Sequence, residues 1–411
     1  MNGPRTLWVI VLLGLALRIG VSCIWFDRLN DDVDNYRGIA EMLADGRGYS
    51  DEFTRKPTAF RPPLLPLLLA GILVSGGSNV AIATMQILLG TGTVLLTGIL
   101  ARQVLNQLKW LPPLIVALDP LSLAYTPQVM TEVLSAFTLS LLLIVAVREW
   151  DQNKLWLTGL TFGLAALCRP TVWAFLPLAC LIGALVCLRK RESLREATVR
   201  SATFTVGAAV LLGPWLARNL LVLDAPVFAT THGGYTLLLG NNPEFYNKVA
   251  RVSWKTIWDS EPWQESLRSD LQSAGVRGER ASDRWMYSRA ISNIRADPAG
   301  CGLSCLTRVR RLWSFVPAAG TPSAILKWGV WGFYFLVLLG LAGSAFCRLE
   351  SDNRLVFAAS WIMILAFTGV HLFYWANTRM RAPLIAPIAI LSAMGWMQVS
   401  NRKANHAARQ A

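Results

Sequence analysis

Long apolar stretches separated by short polar ones run along most of this chain. Ten of them have or approach the roughly 17 to 25 residues that an α-helix needs to cross a bilayer. They predict an all-α polytopic membrane protein with about ten transmembrane helices. The stretches lie at residues 6–26, 79–101, 110–126, 128–147, 155–168, 171–188, 200–222, 327–347, 355–375 and 383–399.

The composition agrees with this prediction. Of the 411 residues, 54% are hydrophobic and 16% are charged, against roughly 25% charged residues in an ordinary soluble domain. The first apolar run, Leu7 to Phe26, contains Arg18 as its one charge. It is longer than the roughly 7 to 15 residues of a signal-peptide core, so we expect it to remain as the first transmembrane helix.

The basic residues predict the orientation of the chain. Their net charge of +14 lies in short clusters between apolar stretches, which indicates topology rather than binding of nucleic acid. An even number of stretches separates each cluster from the next, and Lys and Arg favour the cytoplasmic side, so both termini are predicted to be cytoplasmic. The clusters lie at 102–109, 148–154, 189–200, 348–354 and from 402 onward.

An apolar stretch at 62–75 tests this scheme. If it crossed the membrane, every later basic cluster would move to the outside. It has about fourteen residues, and a full crossing needs about 17 or more. We therefore predict a re-entrant or interfacial segment that follows the first outer loop.

Two hydrophilic segments, 27–62 and 223–326, face outward in this topology, and the chemistry is expected there. The second contains a turn-rich stretch at 231–245 and a charged, helical-looking stretch at 262–295. The predicted organisation is an N-terminal transmembrane catalytic module at 1–222 with the first outer loop inside it, a small extracytoplasmic segment at 223–326, transmembrane helices at 327–400 and a cytoplasmic tail at 401–411.

Three carboxylates, Asp31, Asp32 and Asp34, follow the first apolar stretch. Close carboxylates keep their charge only beside a cation, a hydrogen-bond donor or a substrate proton. They fit two interpretations. One is a helix cap, because Asp favours the first turn and residues 36–43 have helical apolar spacing. The other is the acidic part of a reaction site.

Arginines near the outer ends of different apolar stretches favour a site. Ionisable residues at membrane depth are costly and rarely face lipid, so several on one side indicate a lined cavity. The planar guanidinium group suits phosphate because it donates two parallel hydrogen bonds and stays charged. Each arginine taken alone also fits a side chain that reaches the lipid headgroups. The arginines are Arg61, Arg169, Arg218, Arg379 and Arg381.

Other residues leave alternatives open. Glu132 fits a cavity carboxylate or a helix N-terminal charge, and His371 fits a phosphate contact or an interfacial residue. Cys301 and Cys305 lie in the second outer segment and fit either a disulfide or free thiols. The sequence contains no nucleotide-type phosphate loop, no HExxH and no GxSxG, so a nucleotide-consuming enzyme is not expected.

The order of these motifs resembles the membrane-embedded C-type glycosyltransferases, in particular the bacterial relatives of protein O-mannosyltransferases and of the lipid A aminoarabinose transferase. Two departures are the triple acid and a final RMRAP in place of R-Y-R-x-P. The likeness is carried by Asp32 and Tyr36 followed by IAEMLADGRGY, Arg61 before PPL, Glu132, Arg169 before Pro170, PWLARN with Arg218 and Asn219, GGYTLLLGNN, and RMRAP with Arg379 and Arg381.

The resemblance implies an inverting glycosyltransferase in the inner or plasma membrane. It would move a hexosyl or pentosyl group from a polyprenyl-phosphate-linked donor to an extracytoplasmic lipid, glycan or protein. Asp32 would be the general base, with Asp34 as helper or alternative. A divalent cation is used by some enzymes of this class. The expected substrate-binding residues are Asp31, Tyr36, Arg61, Glu132, Arg169, Arg218, Asn219, His371, Arg379 and Arg381.

A lipid or solute transporter or flippase is the alternative, because it would also line an intramembrane cavity with charges. Such a protein is expected to contain paired repeats with Gly- or Pro-broken helices in corresponding halves. The two halves of this sequence show no such repeat. The sequence therefore favours the transferase.

Overall fold

The computed structural model describes residues 3–150, 155–190, 193–315, 324–347 and 351–410. These residues form helices and connecting loops, with one isolated bridge between Ser50 and Pro57 as their β-type pairing. Six of the described helices are long and apolar enough to cross a membrane. The all-helical, polytopic membrane fold is thereby confirmed, while the total of ten spans and the re-entrant path remain predictions.

The helices follow the predicted apolar stretches closely. Short 3-10 helices at Phe26–Asn30, Pro170–Ala174 and Thr378–Leu384 and a π turn at Tyr246–Ala250 connect them. The α-helices are α1 (Pro4–Ile24), α2 (Tyr36–Ala44), α3 (Leu64–Val74), α4 (Asn79–Val104), α5 (Leu111–Leu118), α6 (Pro120–Tyr125), α7 (Glu132–Glu149), α8 (Trp156–Cys168), α9 (Phe175–Lys190), α10 (Leu194–Leu223), α11 (Gly233–Gly240), α12 (Pro243–Phe245), α13 (Glu261–Ser273), α14 (Glu279–Ala296), α15 (Pro298–Leu312), α16 (Ala324–Ser344), α17 (Ser351–Phe373) and α18 (Ile385–Gln410).

One predicted span is broken into two short helices. The stretch 110–126 forms α5 and α6, which meet at Asp119. Pro120 has no N–H to continue a helix, and the Asp119 carboxylate accepts a hydrogen bond of 2.8 Å from the Ser122 N–H and so caps α6. The Tyr334 hydroxyl donates a second hydrogen bond of 2.6 Å to this carboxylate. The break is therefore stabilised from a distant helix.

The second outer segment differs from its prediction in two places. The charged stretch 262–295 forms two helices, α13 and α14, because Gly275 and Gly278 between them have left-handed backbones with φ of +65° and +85°. The stretch 231–245, predicted to be turns, contains α11. Its first residue, Gly233, lies so close to the Tyr287 hydroxyl that a Cβ would overlap it. Glycine therefore allows α11 to pack on α14.

Small residues bring the transmembrane helices together. A Cβ on Gly207 of α10 would overlap the carbonyl oxygen of Trp156 in α8, and one on Gly395 of α18 would overlap that of Gly340 in α16. Lipid gives little hydrophobic drive for helices to associate, so close backbone approach supplies the attraction. These two pairs of helices form part of the bundle that carries the candidate site.

The chain ends differ slightly from the predicted boundaries. The predicted tail at 401–411 continues helix α18 as far as Gln410. Helix α3 has 11 residues and packs against α2, which suits an interfacial segment.

The basic clusters at 148–154, 189–200 and 348–354 lie partly outside the described residues. Cys301 and Cys305 are free thiols in the structure.

Candidate active site

Asp34 lies between two arginines from distant parts of the chain. Nη2 of Arg61 is 2.9 Å from its Oδ1, and Nη2 of Arg379 is 3.2 Å from its Oδ2. The Asp34 side chain keeps 17% of its surface exposed, so a ligand can reach it. Burial alone raises the pKa of the Asp34 carboxyl, but the two arginines more than offset burial, and the pKa lies below its ordinary value. Asp34 is therefore ionised at neutral pH.

A second carboxylate extends this arrangement into the bundle. Oε1 of Glu132, whose side chain is 1% exposed, lies 2.7 Å from Nη2 of Arg169 and 3.4 Å from Nε of Arg379. Arg379 therefore joins the two carboxylates. We call Arg61, Asp34, Arg379, Glu132 and Arg169 the charge cluster. Its three cations and two anions alternate and give a net charge of +1.

The charge cluster forms where several helices begin or end. Arg61 and Arg169 each precede a proline, which disfavours the helical conformation in the residue before it. The backbone of Arg169 is accordingly extended at the end of α8. Glu132 begins α7, where the helix dipole favours a negative charge. Arg379 lies in the 3-10 helix before α18. The ends of these elements lie together and thereby bring the five side chains into contact.

Some hydrogen-bonding capacity of the charge cluster is unused. Nε of Arg61 and Nε of Arg379 are buried and make no hydrogen bond among the described residues, although Nε of Arg379 keeps its 3.4 Å ion-pair contact with Oε1 of Glu132. Buried donors without a partner are costly. An oxyanion is the ligand class that suits guanidinium donors, because each can give two parallel hydrogen bonds to its oxygens. The charge cluster is therefore suited to bind an anion such as phosphate.

Asp32 and Asp31 lie outside the charge cluster. Both carboxylate oxygens of Asp32 accept backbone hydrogen bonds at the start of α2, from Tyr36 at 2.8 Å and from Gly38 at 2.9 Å. Asp31 is exposed, and its side chain has no hydrogen bond in the described part of the chain. Asp32 thus caps the start of α2, whereas Asp34 is paired with arginines in the charge cluster. A role of Asp34 in a reaction site stays a prediction. The role of Asp32 as base remains a prediction.

Arg218 and Asn219 stabilise the loop that precedes Arg61. Arg218 donates hydrogen bonds to the carbonyl oxygens of Tyr49 at 2.6 Å and Thr58 at 2.8 Å, and Asn219 accepts one from Arg218 at 2.9 Å. The Tyr49 hydroxyl in turn donates to the carbonyl oxygen of Arg61 at 2.9 Å. Arg218 and Asn219, which were predicted to bind substrate, therefore stabilise the backbone of this loop. In that way they help to position Arg61.

Three other predicted residues, Tyr36, His371 and Arg381, differ in what their side chains contact. Tyr36 is buried beneath Arg61, whose guanidinium carbon is 5.6 Å from the ring centroid. Nδ1 of His371 lies 3.0 Å from the carbonyl oxygen of Trp375. Arg381 donates to the carbonyl oxygens of Leu312 and Ser314. Tyr36 thus contacts a cluster arginine, whereas Arg381 bonds backbone elsewhere in the fold.

Two residues near the charge cluster were not predicted from the sequence. Glu279 of α14 accepts hydrogen bonds from the Thr58 hydroxyl at 2.5 Å and the Ala59 N–H at 2.9 Å. It therefore attaches the second outer segment to the loop before Arg61. His232 packs on Phe60, the neighbour of Arg61. The sequence offered one signal for His232: the chain has three histidines, and this one lies in an outer segment.

The three aspartates of the first outer loop do not converge as metal ligands. Asp34 is paired with arginines, and Asp32 is bonded to backbone N–H groups. Throughout the described ranges, no three His, Cys, Asp or Glu side chains are grouped in a way that could hold a metal ion.

A solved structure resembles this fold. It is the crystal structure of the oligosaccharyltransferase of Archaeoglobus fulgidus, tethered by a disulfide bond to an acceptor peptide containing the NVT sequon. The two chains are 17% identical, with a TM-score of 0.52, and the match covers 97% of this chain and 49% of the other. At this identity the likeness is one of fold, and the chain spans about half the length of its structural neighbour. No protein-family model matches the chain, and no curated protein sequence matches it.

Proposed function

We propose that the charge cluster is the active site of an inverting glycosyltransferase, which moves a hexosyl or pentosyl group from a polyprenyl-phosphate-linked donor to an extracytoplasmic acceptor. The observation that carries the proposal is an ionised carboxylate, Asp34, held between the guanidinium groups of Arg61 and Arg379. The net charge of +1 complements the single negative charge of a phosphodiester donor. The fold shared with a membrane-bound oligosaccharyltransferase supports the same class of reaction.

The arginines would stabilise the leaving phosphate. When the bond between the anomeric carbon and the phosphate oxygen breaks, its electron pair stays with the phosphate and negative charge increases there. Guanidinium groups that are already in place stabilise this charge without reorganisation. Arg61 and Arg379 are the proposed contacts, because both side chains are partly exposed and Nε of each makes no hydrogen bond in the described structure. Arg169 would hold Glu132 and so keep Arg379 in place.

Asp34 would accept the proton of the acceptor. The acceptor hydroxyl oxygen bonds to the anomeric carbon from the side opposite the phosphate, its proton moves to Asp34, and the sugar is released from phosphate with inverted configuration. Phosphate oxygens compete with Asp34 for the same guanidinium groups, so a bound donor weakens the ion pairs of Asp34 and increases its proton affinity. The motif-based alternative, Asp32, has both oxygens engaged by backbone.

The charge cluster would face the extracytoplasmic side. Asn79, at the start of α4, accepts a hydrogen bond of 2.6 Å from Arg37 in α2, whereas Arg102 lies at the other end of α4. The end of α4 that carries Arg102 would be on the cytoplasmic side, and both termini would lie on that side as well. The segment 223–326 would then cover the site from outside and select the acceptor.

Donor consumption tests this function. The purified protein in lipid would be incubated with a panel of polyprenyl-phosphate sugars and candidate acceptors, and we expect release of polyprenyl phosphate together with a product of inverted anomeric configuration. A product that retains the donor configuration would contradict single displacement. If no donor is consumed and lipid or solute instead crosses the membrane of the same vesicles, the protein is a transporter or flippase.

A further inference from the structure

His232 brings the second outer segment to the charge cluster. It immediately precedes α11, and its ring packs edge-to-face on Phe60 with a centroid distance of 4.5 Å. Asp34, Arg61 and Arg379 all act electrostatically on the imidazole. The proposed reaction assigns no role to His232, although its ring packs on the residue next to Arg61.

The imidazole of His232 is neutral and without a hydrogen bond. Burial lowers its pKa first, Arg61 and Arg379 lower it further, and Asp34 opposes them, which leaves a pKa of about 3. A neutral imidazole has one N–H donor and one nitrogen acceptor. No group in the described part of the chain bonds either nitrogen, and the residue is half-buried. Such a group suits an uncharged hydroxyl better than a phosphate.

Aromatic side chains continue from His232 into the outer segment. The ring centroid of Tyr235 is 5.4 Å from that of His232 and 6.3 Å from that of Trp263. Together with Phe60, these rings are half-buried and keep part of their surface exposed. Aromatic walls with a few placed polar groups are typical of small-molecule sites, and flat rings stack on the C–H faces of sugars. The first of these rings, Phe60, is the neighbour of Arg61 in the chain, so the aromatic side chains begin at the edge of the charge cluster.

Helix α14 fixes the backbone around His232. Before it, the hydroxyl of Thr231 donates a hydrogen bond to Glu279, which also accepts one from the Ala59 N–H next to Phe60. After it, the Gly234 N–H donates to Asp283 at 2.7 Å. Because one helix holds both sides of the contact, the imidazole is kept in register with Arg61 before any ligand binds.

We propose that His232, Phe60, Tyr235 and Trp263 form the acceptor subsite and that its occupant is a sugar ring. In this subsite, the His232 imidazole hydrogen-bonds the acceptor hydroxyl and directs it toward Asp34, which takes the proton. The aromatic rings hold the ring face of the same sugar. The inference rests on the proposed function, since it names the acceptor class for that reaction.

Two variants separate hydrogen bonding from packing. His232→Phe keeps an aromatic ring against Phe60 and Tyr235 and removes both nitrogens, whereas His232→Gln keeps a donor and an acceptor. With a short oligosaccharide as acceptor, we expect His232→Phe to raise its KM at least about tenfold, which is the loss of one buried hydrogen bond. The affinity for polyprenyl phosphate should stay unchanged, and His232→Gln should recover most of the loss. Thermal unfolding of each variant in lipid checks that the fold persists.

Three results would overturn the subsite. One is an unchanged oligosaccharide KM in a folded His232→Phe variant, and another is an equal loss of polyprenyl phosphate affinity. The third is use of a serine- or threonine-containing peptide in place of the oligosaccharide. Direct titration of the oligosaccharide, followed by tryptophan fluorescence, distinguishes the subsite from the reaction. Binding that His232→Phe weakens supports the subsite even if wild type consumes no donor, and absence of binding to wild type rejects it.

Discussion

Asp34→Asn is expected to slow sugar transfer by about 10² to 10⁴ in a protein that still folds. The amide has nearly the shape of the carboxylate but cannot take the acceptor proton, and loss of a positioned base costs about 10² to 10⁴ in rate. The residue is part-buried rather than fully buried, so its neighbours can be solvated in the variant. The measurement is kcat/KM for release of polyprenyl phosphate in lipid, alongside thermal unfolding.

Asp32→Asn is the matched control. Asparagine caps helices about as well as aspartate, and its single carbonyl oxygen can keep one of the two backbone hydrogen bonds that Asp32 accepts. We therefore expect this variant to fold and to keep most of its transfer rate. A folded Asp32→Asn protein without activity, beside an active Asp34→Asn protein, would assign the base to Asp32 as the motif predicts.

Arg379→Ala is expected to reduce transfer by about 10² to 10³, the range seen when a preorganised charge-stabilising donor is removed. Arg379 contacts both Asp34 and Glu132, so the change also leaves a buried carboxylate with one partner fewer and costs stability. Arg379→Lys keeps the charge and folds more readily. A single ammonium group does not replace the planar fork, so we expect its activity to stay well below wild type. The readouts are kcat/KM and affinity for polyprenyl phosphate.

Arg381→Lys provides the comparison two residues away. Arg381 bonds the carbonyl oxygens of Leu312 and Ser314, and its guanidinium carbon lies 4.4 Å from the ring centroid of Tyr334. Its substitution should lower the unfolding temperature and leave the affinity for polyprenyl phosphate near that of wild type. Equal losses of that affinity in both lysine variants would mean that phosphate is not bound by Arg379 in particular.

The apolar pattern could predict the helices because hydrophobic length alone determines which segments cross lipid. The pattern did not predict the break between α5 and α6, because the length of the apolar stretch at 110–126 favoured one continuous span. The local signal was present: Asp119 and Pro120 form a cap followed by a residue without an N–H. The partner that holds the break, Tyr334, is more than two hundred residues away and leaves no local trace.

Five arginines and Glu132 were predicted near the outer ends of apolar stretches, and the structure joins three of those arginines, Arg61, Arg169 and Arg379, with Glu132 in the charge cluster. The choice between Asp32 and Asp34 depends on the backbone. Asn35 has a left-handed φ of +58°, and the turn there directs Asp32 to the start of α2. Two aspartates two positions apart give no such information in a sequence.

Side-chain identity also could not separate phosphate ligands from residues that hold backbone. Arg218 is an arginine near the predicted outer end of an apolar stretch, yet it donates hydrogen bonds to carbonyl oxygens of the loop before Arg61. Glu279 and His232 reach the site only because α14 packs against α11 and the first outer loop. Such contacts depend on how the second outer segment folds over the helices, which hydrophobic periodicity does not encode.

The most direct measurement is an experimental structure of the protein in a lipid nanodisc with polyprenyl phosphate added. We expect the phosphate to lie between Arg61 and Arg379, with guanidinium nitrogens about 2.7 to 2.9 Å from its oxygens and at least one of the two Asp34 ion pairs opened. A phosphate bound away from these arginines, with both Asp34 ion pairs intact, would contradict the assignment of the charge cluster as the donor site.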